Sequence, residues 1–156
     1  MKTFAGICLG LVALATPGLA PAQSGRGVET VFRCNLDNGK MVQVTAQGGR
    51  LFYRYGTARR AELSLTGSAR SGNVRFMQQR YASIQSQLRF TNGQYSYIIH
   101  EMGASQVAQS NSISGLVVMR GNRRIGDYSC RRFTEFSAAF DLLRSLPEDT
   151  EAYSVM

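Results

Sequence analysis

Residues 41–55 read Met-Val-Gln-Val-Thr-Ala-Gln-Gly-Gly-Arg-Leu-Phe-Tyr-Arg-Tyr, with regular alternation on both sides of Gly48-Gly49. A period of two with one apolar face is typical of a half-buried β-strand. The apolar positions are Val42, Val44 and Ala46 before the glycines, and Leu51, Tyr53 and Tyr55 after them. This stretch therefore predicts two strands joined by a glycine turn.

The same period recurs along most of the chain. Asn38-Gly39 and Asn92-Gly93 are strong hairpin-turn signals, and Gly121-Asn122 is a weaker one. The predicted strands lie at about residues 28–34, 41–46, 50–55, 61–66, 74–79, 84–90, 95–102, 115–120 and 123–131. Short strands at this spacing predict a mainly β fold, an antiparallel barrel or sandwich of about eight or nine strands. The length fits one domain, at residues 23–147.

The period changes near the C-terminus, where a helix is predicted. Thr134 is a plausible N-cap, and Glu135 would lie in the first turn, where negative charge suits the helix dipole. Pro147 would end the helix. Its apolar face would consist of Phe136, Ala139, Phe140, Leu143 and Leu146. We expect this helix to pack on the β-structure, and residues 148–156 to form a flexible acidic tail.

The first 22 residues have the features of a secretory signal. Lys2 charges the N-terminus, residues 4–15 are apolar and small, and Ala20-Pro21-Ala22 is a signal-peptidase site. A membrane anchor is the alternative, but a span needs about 20 apolar residues and this run stops at Pro17. We expect cleavage after Ala22, a mature chain that begins at Gln23, and a periplasmic protein.

Removal of the signal leaves two of the three cysteines, Cys34 and Cys130. In an oxidising compartment such a pair predicts a disulfide. A zinc site is the competing interpretation, but two distant cysteines and one histidine do not supply four ligands. The predicted strands end near both cysteines, so we expect the bond to fasten the two ends of the sheet.

The charge is strongly uneven. After removal of Lys2 the chain has 17 basic and ten acidic residues, a net charge of +7, and 16 of the 17 are arginine. Residues 23–134 have a net charge of +11, and residues 135–156 a net charge of −4. A basic body attracts acidic proteins, anionic polymers or anionic lipid. Genome composition alone is the alternative explanation of the arginine bias.

Catalytic motifs are missing from the sequence. His100 is the only histidine, and it alternates to the face opposite Tyr95, Tyr97 and Ile99, so we expect an ordinary surface or rim residue. The chain has no Gly-x-Ser-x-Gly, no phosphate loop and no His-Glu-x-x-His. We therefore expect that the protein has no catalytic activity and binds no cofactor. Residues 52–55 combine aromatic and arginine side chains, as base-stacking sites do, but a strand with inward tyrosines is the preferred interpretation, without a nucleic-acid partner.

Several stretches together carry a family resemblance. They are residues 32–34 with 38–40, residues 51–56 with 61–63, and residues 90–97 with 115–118 and Cys130. They resemble a family of small exported bacterial proteins, mostly uncharacterised, with paired terminal cysteines and a β-rich body. The resemblance implies a fold more than a function.

A more distant likeness is to the periplasmic inhibitors of C-type lysozyme, which are compact β-barrels with a disulfide. Those proteins insert a Ser-Gly-x-x-Tyr segment into the lysozyme cleft. Here Ser71-Gly72 is followed by Arg75 at the position of the tyrosine, so an ordinary turn is the alternative interpretation.

These observations lead to one functional hypothesis and one alternative in which the protein binds a partner; a purely structural envelope protein is a further alternative. The hypothesis is a periplasmic binding protein without catalysis, an inhibitor or immunity protein of a lysozyme-like cell-wall hydrolase, whose cleft carries two carboxylates. The alternative is a basic envelope protein that binds anionic polysaccharide or lipid. The predicted partner-binding residues are Arg70, Ser71 and Arg75 on one turn, and Arg120, Arg123 and Arg124 on another.

Overall fold

The computed structural model describes residues 27–80, 82–107, 109–134, 136 and 140–151. The predicted signal peptide at residues 1–22 and the predicted start at Gln23 lie outside the described residues, so both stay predictions.

Nine strands form one antiparallel sheet, and a short helix follows them. The predicted fold class is confirmed, and each predicted strand is present within a few residues of its expected bounds. The elements are β1 (Glu29–Leu36), β2 (Met41–Gln47), β3 (Arg50–Gly56), β4 (Ala61–Gly67), β5 (Val74–Arg80), β6 (Ile84–Asn92), β7 (Tyr95–Met102), β8 (Ile113–Arg120), β9 (Arg123–Thr134) and α1 (Phe140–Arg144).

The strand order is β4-β3-β2-β1-β9-β8-β7-β6-β5. Strands β1–β4 and β5–β9 are two meanders in which each strand pairs with its neighbour in the chain; turns of a few residues join most of these pairs, and residues 103–112 join β7 to β8. The first and last strands, β1 and β9, pair in the middle of the sheet and join the two meanders.

The predicted disulfide is present, and it lies at this junction. Cys34 and Cys130 are bonded, with their Cα atoms 5.5 Å apart. Leu36 pairs with Cys130, and Cys34 pairs with Phe133. The expectation that the bond fastens the two ends of the sheet was wrong, because the outer strands are β4 and β5 and the bonded strands are neighbours at the centre.

The sheet curls into a half-barrel whose inner face forms the core. The predicted alternation is confirmed here: Val42 and Val44 in β2, and Leu51 and Tyr53 in β3, are fully or almost fully buried. Strands of the second meander contribute to the same interior. Their buried members are Val74, Phe76, Leu88, Phe90, Ile99 and Leu116.

The segment after β9 fills one end of the interior. The Phe136 ring stacks on Phe32 at 4.9 Å between centroids, and Phe76 packs edge-on against Phe136 and Phe140. Helix α1 begins later than predicted, because Thr134 is the last residue of β9 and not an N-cap. Helix α1 has five residues, and no helix in the described part of the chain is long and apolar enough to cross a membrane.

Residues 148–151 differ from the flexible tail that we expected over residues 148–156. The Phe76 amide donates to the Pro147 carbonyl, and the Asp149 amide donates to the Phe76 carbonyl, which extends the sheet beyond β5. The Asp149 side chain is buried and accepts a hydrogen bond from Arg89 Nε at 2.8 Å. This segment is ordered because it supplies the carboxylate that a buried guanidinium requires. Residues 152–156 lie outside the description.

We expect the double variant Cys34→Ser, Cys130→Ser to fold with a free energy of unfolding lower by about 4 kcal/mol. The bond joins residues 96 apart, and closing so long a loop removes much entropy from the unfolded chain. Urea denaturation followed by circular dichroism measures the change. The oxidised wild type should become as unstable as the variant after reduction. Equal midpoints for the oxidised wild type and the variant would contradict the stabilising role of the bond.

Candidate functional site

The two predicted basic turns lie along one rim of the half-barrel. The residue 68–73 turn leads into β5, and its Asn73 carbonyl accepts from the Thr91 amide, just before the β6–β7 turn. On the other side of that turn, the Gln94 carbonyl accepts from the amide of Gly121 in the β8–β9 turn. Strands β5 and β8 are three spacings apart, or about 14 Å. The structure therefore places the two turns on either side of one hairpin.

In the first turn, Arg70 is exposed, whereas the Ser71 side chain helps to hold the backbone. Its Oγ accepts from the Ser68 amide at 2.8 Å. Gly72 has a φ of 69°, which favours glycine at this position. Arg75 lies in β5, where one guanidinium nitrogen is 3.4 Å from the Glu148 carbonyl. Arg70 and Arg75 are both exposed, and neither forms an ion pair with a described residue.

In the second turn, the three arginines have different surroundings. Arg120 Nε donates to Gln94 Oε1 at 3.0 Å, and its guanidinium lies 5.8 Å from the centre of the Tyr95 ring, a cation–π contact. Arg124 forms an ion pair with Asp127 at 2.8 Å. Arg123 is exposed and forms no ion pair with any described residue.

A tyrosine-lined cavity opens below this rim, on the inner face of the sheet. Its volume is about 380 Å³, within the range of small-molecule sites. We call it the tyrosine pocket. Both meanders contribute to it, because the curl brings β3 and β4 opposite β7, β8 and β9. Its lining consists of Tyr53, Tyr55, Glu62, Leu63, Tyr97, Leu116, Val118, Ile125, Gly126 and Tyr128.

Tyr53 is the most deeply buried tyrosine of the pocket, with 1% of its surface exposed. Its ring lies 5.3 Å from Phe90 and 5.7 Å from Tyr97, between centroids. Its hydroxyl has no hydrogen-bond partner within the described residues. Burial raises the pKa of Tyr53, so this phenol stays protonated. A buried hydroxyl without a partner costs about 1–3 kcal/mol, which calls for a reason beyond packing.

Polar residues surround the mouth of the pocket. Lys40 forms an ion pair with Glu62, and this hydrogen bond raises the pKa of Lys40. The Lys40 ammonium also lies 5.4 Å from the centre of the Tyr55 ring. The Tyr55 hydroxyl accepts from Asn38 Nδ2 at 3.2 Å. Since Lys40 and Glu62 neutralise each other, the mouth has little net charge.

His100 lies on the opposite face of the sheet from the pocket, and it is buried, which corrects the expected surface or rim position. Its ring occupies the space above Gly115, where a Cβ atom would stand 2.7 Å from His100 Nε2. Burial lowers the pKa of His100 to about 4; the nearby Asp127 raises the pKa and Arg124 lowers it. The imidazole is therefore neutral at pH 7.

Sequence reasoning missed the pocket, although part of the signal was present. Alternation placed Tyr53, Tyr55 and Tyr97 on one face of their strands, but it does not show which strands face one another across an interior. Tyrosine at inward positions, where aliphatic residues are usual, was the available clue.

In comparisons with protein families, curated proteins and solved structures, the chain has no match. Both resemblances described above therefore stay predictions.

We expect Tyr53→Phe to raise the free energy of unfolding by about 1 kcal/mol, because it removes a buried hydroxyl that has no partner while the ring contacts remain. Chemical denaturation measures the change. Tyr55→Phe is the matched control, since it removes a hydroxyl that Asn38 already engages. It should leave stability unchanged or slightly lower. A loss of stability in Tyr53→Phe would show that this hydroxyl is satisfied.

His100 predicts a pH dependence of stability. Its pKa is about 4 in the folded protein and about 6.5 in an unfolded chain, so between these values only the unfolded state binds the proton. Stability should therefore fall as the pH falls from 6.5 to 4, by up to about 3 kcal/mol from this group. In His100→Gln this component disappears, so the stability difference between wild type and variant should shrink towards pH 4. Parallel pH profiles would contradict the prediction.

Proposed function

We propose that this protein is an exported, non-enzymatic binding protein whose basic rim recognises an acidic protein, and that the partner is a lysozyme-like cell-wall hydrolase that it inhibits. The observation that carries the proposal is the exposure of Arg70 and Arg123 on one rim, each without an acidic neighbour in the described chain. A protein that leaves guanidinium groups unneutralised along one edge attracts carboxylates to it.

Arginine suits this partner better than lysine would. The guanidinium group makes forked, two-point contacts with a carboxylate. Glycan hydrolases typically hold two carboxylates in the cleft where they cut the substrate. A rim with two exposed arginines complements such a site, and a protein bound there would block the substrate without any chemistry of its own.

The rigidity of the rim supports the same proposal. Ser71 holds the residue 68–73 turn, and the Gln94 side chain and carbonyl tie Arg120 and Gly121 to the neighbouring hairpin. Side chains that are carried on held turns lose less conformational entropy on binding.

The binding of anionic envelope polysaccharide or lipid is a second candidate, and a specific observation favours it. Exposed arginines also occur outside the two rim turns, at Arg59, Arg80 and Arg132, so positive charge extends over much of the described surface. An extended polyanion can contact positive charges that are spread over the surface, whereas a protein partner contacts one patch of it.

A charge-reversal pair tests the proposal. We expect Arg70→Glu with Arg123→Glu to weaken inhibition of a lysozyme-like hydrolase at least about 30-fold, because charge contacts desolvated in an interface cost about 2–5 kcal/mol when one partner is lost. Lysis of a cell-wall suspension measures inhibition by C-type lysozyme and by the hydrolase encoded nearest the gene.

Arg80→Glu with Arg132→Glu is the matched control, with the same change of net charge. Arg132 lies nine residues along β9 from Arg123, about 30 Å away. We expect this double variant to inhibit the hydrolase as strongly as the wild type does, within about threefold. If the wild type inhibits neither enzyme, the hydrolase proposal fails. If both pairs lose binding to anionic vesicles equally, with a graded release by salt, the polyanion candidate replaces it.

A further inference from the structure

Strand β6 carries two polar side chains, Gln87 and Arg89, that are almost fully buried at positions that alternate with the core residues Leu88 and Phe90. Both bind the segment of residues 147–151. We propose that these two side chains and the edge of β5 form a binding site for an extended acidic peptide, and that residues 147–151 occupy it as an internal ligand. The proposal does not rest on the inhibition of a hydrolase.

The backbone of the segment adds to the edge of the sheet. Strand β5 is an outer strand, and Glu148 forms an isolated parallel bridge with Phe76. The Phe76 amide donates to the Pro147 carbonyl at 3.0 Å, and the Asp149 amide donates to the Phe76 carbonyl at 3.0 Å. Addition of a strand to a sheet edge is a common mode of peptide recognition, in which backbone hydrogen bonds hold the peptide and side-chain sites select it.

The side chain that is selected here is the Asp149 carboxylate. One of its oxygens accepts from Arg89 Nε at 2.8 Å and from Gln87 Nε2. None of the Asp149 side chain is exposed, and only 5% of the Arg89 side chain is. The same two side chains donate to the Glu151 carbonyl, which lies 3.2 Å from Gln87 Nε2. Gln87 and Arg89 therefore hold one carboxylate and one carbonyl two residues further along, and we call them the peptide clamp.

These contacts define the ligand. Glu148 and Thr150 are exposed, so the site demands little of the residues on either side of the aspartate. The Glu151 carboxylate lies 3.4 Å from Arg89 Nη1, but 80% of that side chain is exposed, so its attraction is weak. A glutamate in place of Asp149 would need room for one more methylene in an enclosed position. The ligand class is therefore an extended peptide with an aspartate and, two residues later, an acidic residue.

Exchange of the segment for another peptide leaves the nine-strand sheet intact. The backbone of residues 147–151 pairs with β5 at Phe76 alone within the described chain, and Leu146, which is buried in the core, precedes the segment. An incoming carboxylate would take over the pairing that the buried Arg89 requires. Because the internal ligand is tethered beside the peptide clamp, its effective concentration is high, and it excludes weak competitors.

The experiment measures the binding of a capped, fluorescent peptide of residues 146–151 to the mature protein, residues 23–156, by fluorescence anisotropy. In Asp149→Ala the internal ligand loses its carboxylate. We expect this variant to bind the peptide at least about 10-fold tighter than the wild type, because a site that is occupied about 90% of the time loses a factor of about ten in apparent affinity. Glu148→Ala is the matched control, since it removes the same charge from an exposed position and should bind as the wild type does.

Two further comparisons test the peptide clamp. A peptide with asparagine in place of Asp149 should bind to the Asp149→Ala protein at least about 30-fold more weakly, because it cannot form the desolvated charge contact with Arg89. The double variant Asp149→Ala, Arg89→Met should bind neither peptide, and its apolar side chain leaves no buried charge unpaired.

Circular dichroism shows whether each variant is folded. If Asp149→Ala is not folded, the wild type decides, because it should bind the aspartate peptide at least about 10-fold tighter than the asparagine peptide. Equal binding of the two peptides would overturn the proposal. So would equal binding of the aspartate peptide by the wild type and a folded Asp149→Ala, or no binding to either, and residues 147–151 would then be a permanent part of the sheet.

Discussion

The pairing of β1 with β9 is the contact on which the rest of this fold depends. Each of the other ladders joins strands that are neighbours in the chain, so the two paired strands are close in sequence. The β1–β9 ladder joins the two ends of the domain through four residue pairs, and it carries the Cys34–Cys130 bond. Closing so long a loop is entropically costly, and a covalent link at this point removes most of that cost from folding. Without the β1–β9 ladder the two meanders would be separate sheets, each with an uncovered apolar face.

The interior exists because that junction places the two meanders opposite each other. At one end Phe136 covers the interior by stacking on Phe32, and Leu143 is fully buried in the same core. At the other end no such cover is present among the described residues, and tyrosines from both meanders line the opening. The pocket is therefore a consequence of the curl together with one-sided closure. Any change that separates β1 from β9 would remove it along with the core.

The strands and turns, which depend on residues close in the chain, could be predicted from the sequence. The contacts between residues that are distant in the chain could not. The strands and turns follow from alternation and from Asn-Gly pairs, so their bounds were nearly right. The position of the disulfide within the sheet was wrong, because strand order is not encoded in alternation. Arg89 sits at an outward position of β6, yet it is buried with Asp149, which lies 60 residues away. The burial of His100 and the clustering of the tyrosines in one pocket were missed for the same reason. Both depend on which strands pack against each other, and the alternation of residues along one strand does not show this.

The Arg89–Asp149 pair shows that part of the positive charge of the chain is neutralised within the fold. The acidic C-terminal segment provides an internal partner for one guanidinium of the basic body, and Arg124 has another in Asp127. An excess of arginine is thus no measure of binding capacity, and only those arginines that the chain leaves exposed and unneutralised can act on a partner at a distance. At the rim, Arg70, Arg75, Arg120 and Arg123 meet this condition, whereas the pocket beside them is almost free of net charge. A charged rim and a nearly uncharged pocket therefore lie side by side at one end of the half-barrel. The charge of the rim generates a field that salt screens within about 8 Å, whereas the walls of the pocket affect only a molecule in contact with them. A ligand in the pocket and a protein on the rim would be governed by different forces even though they occupy neighbouring surfaces.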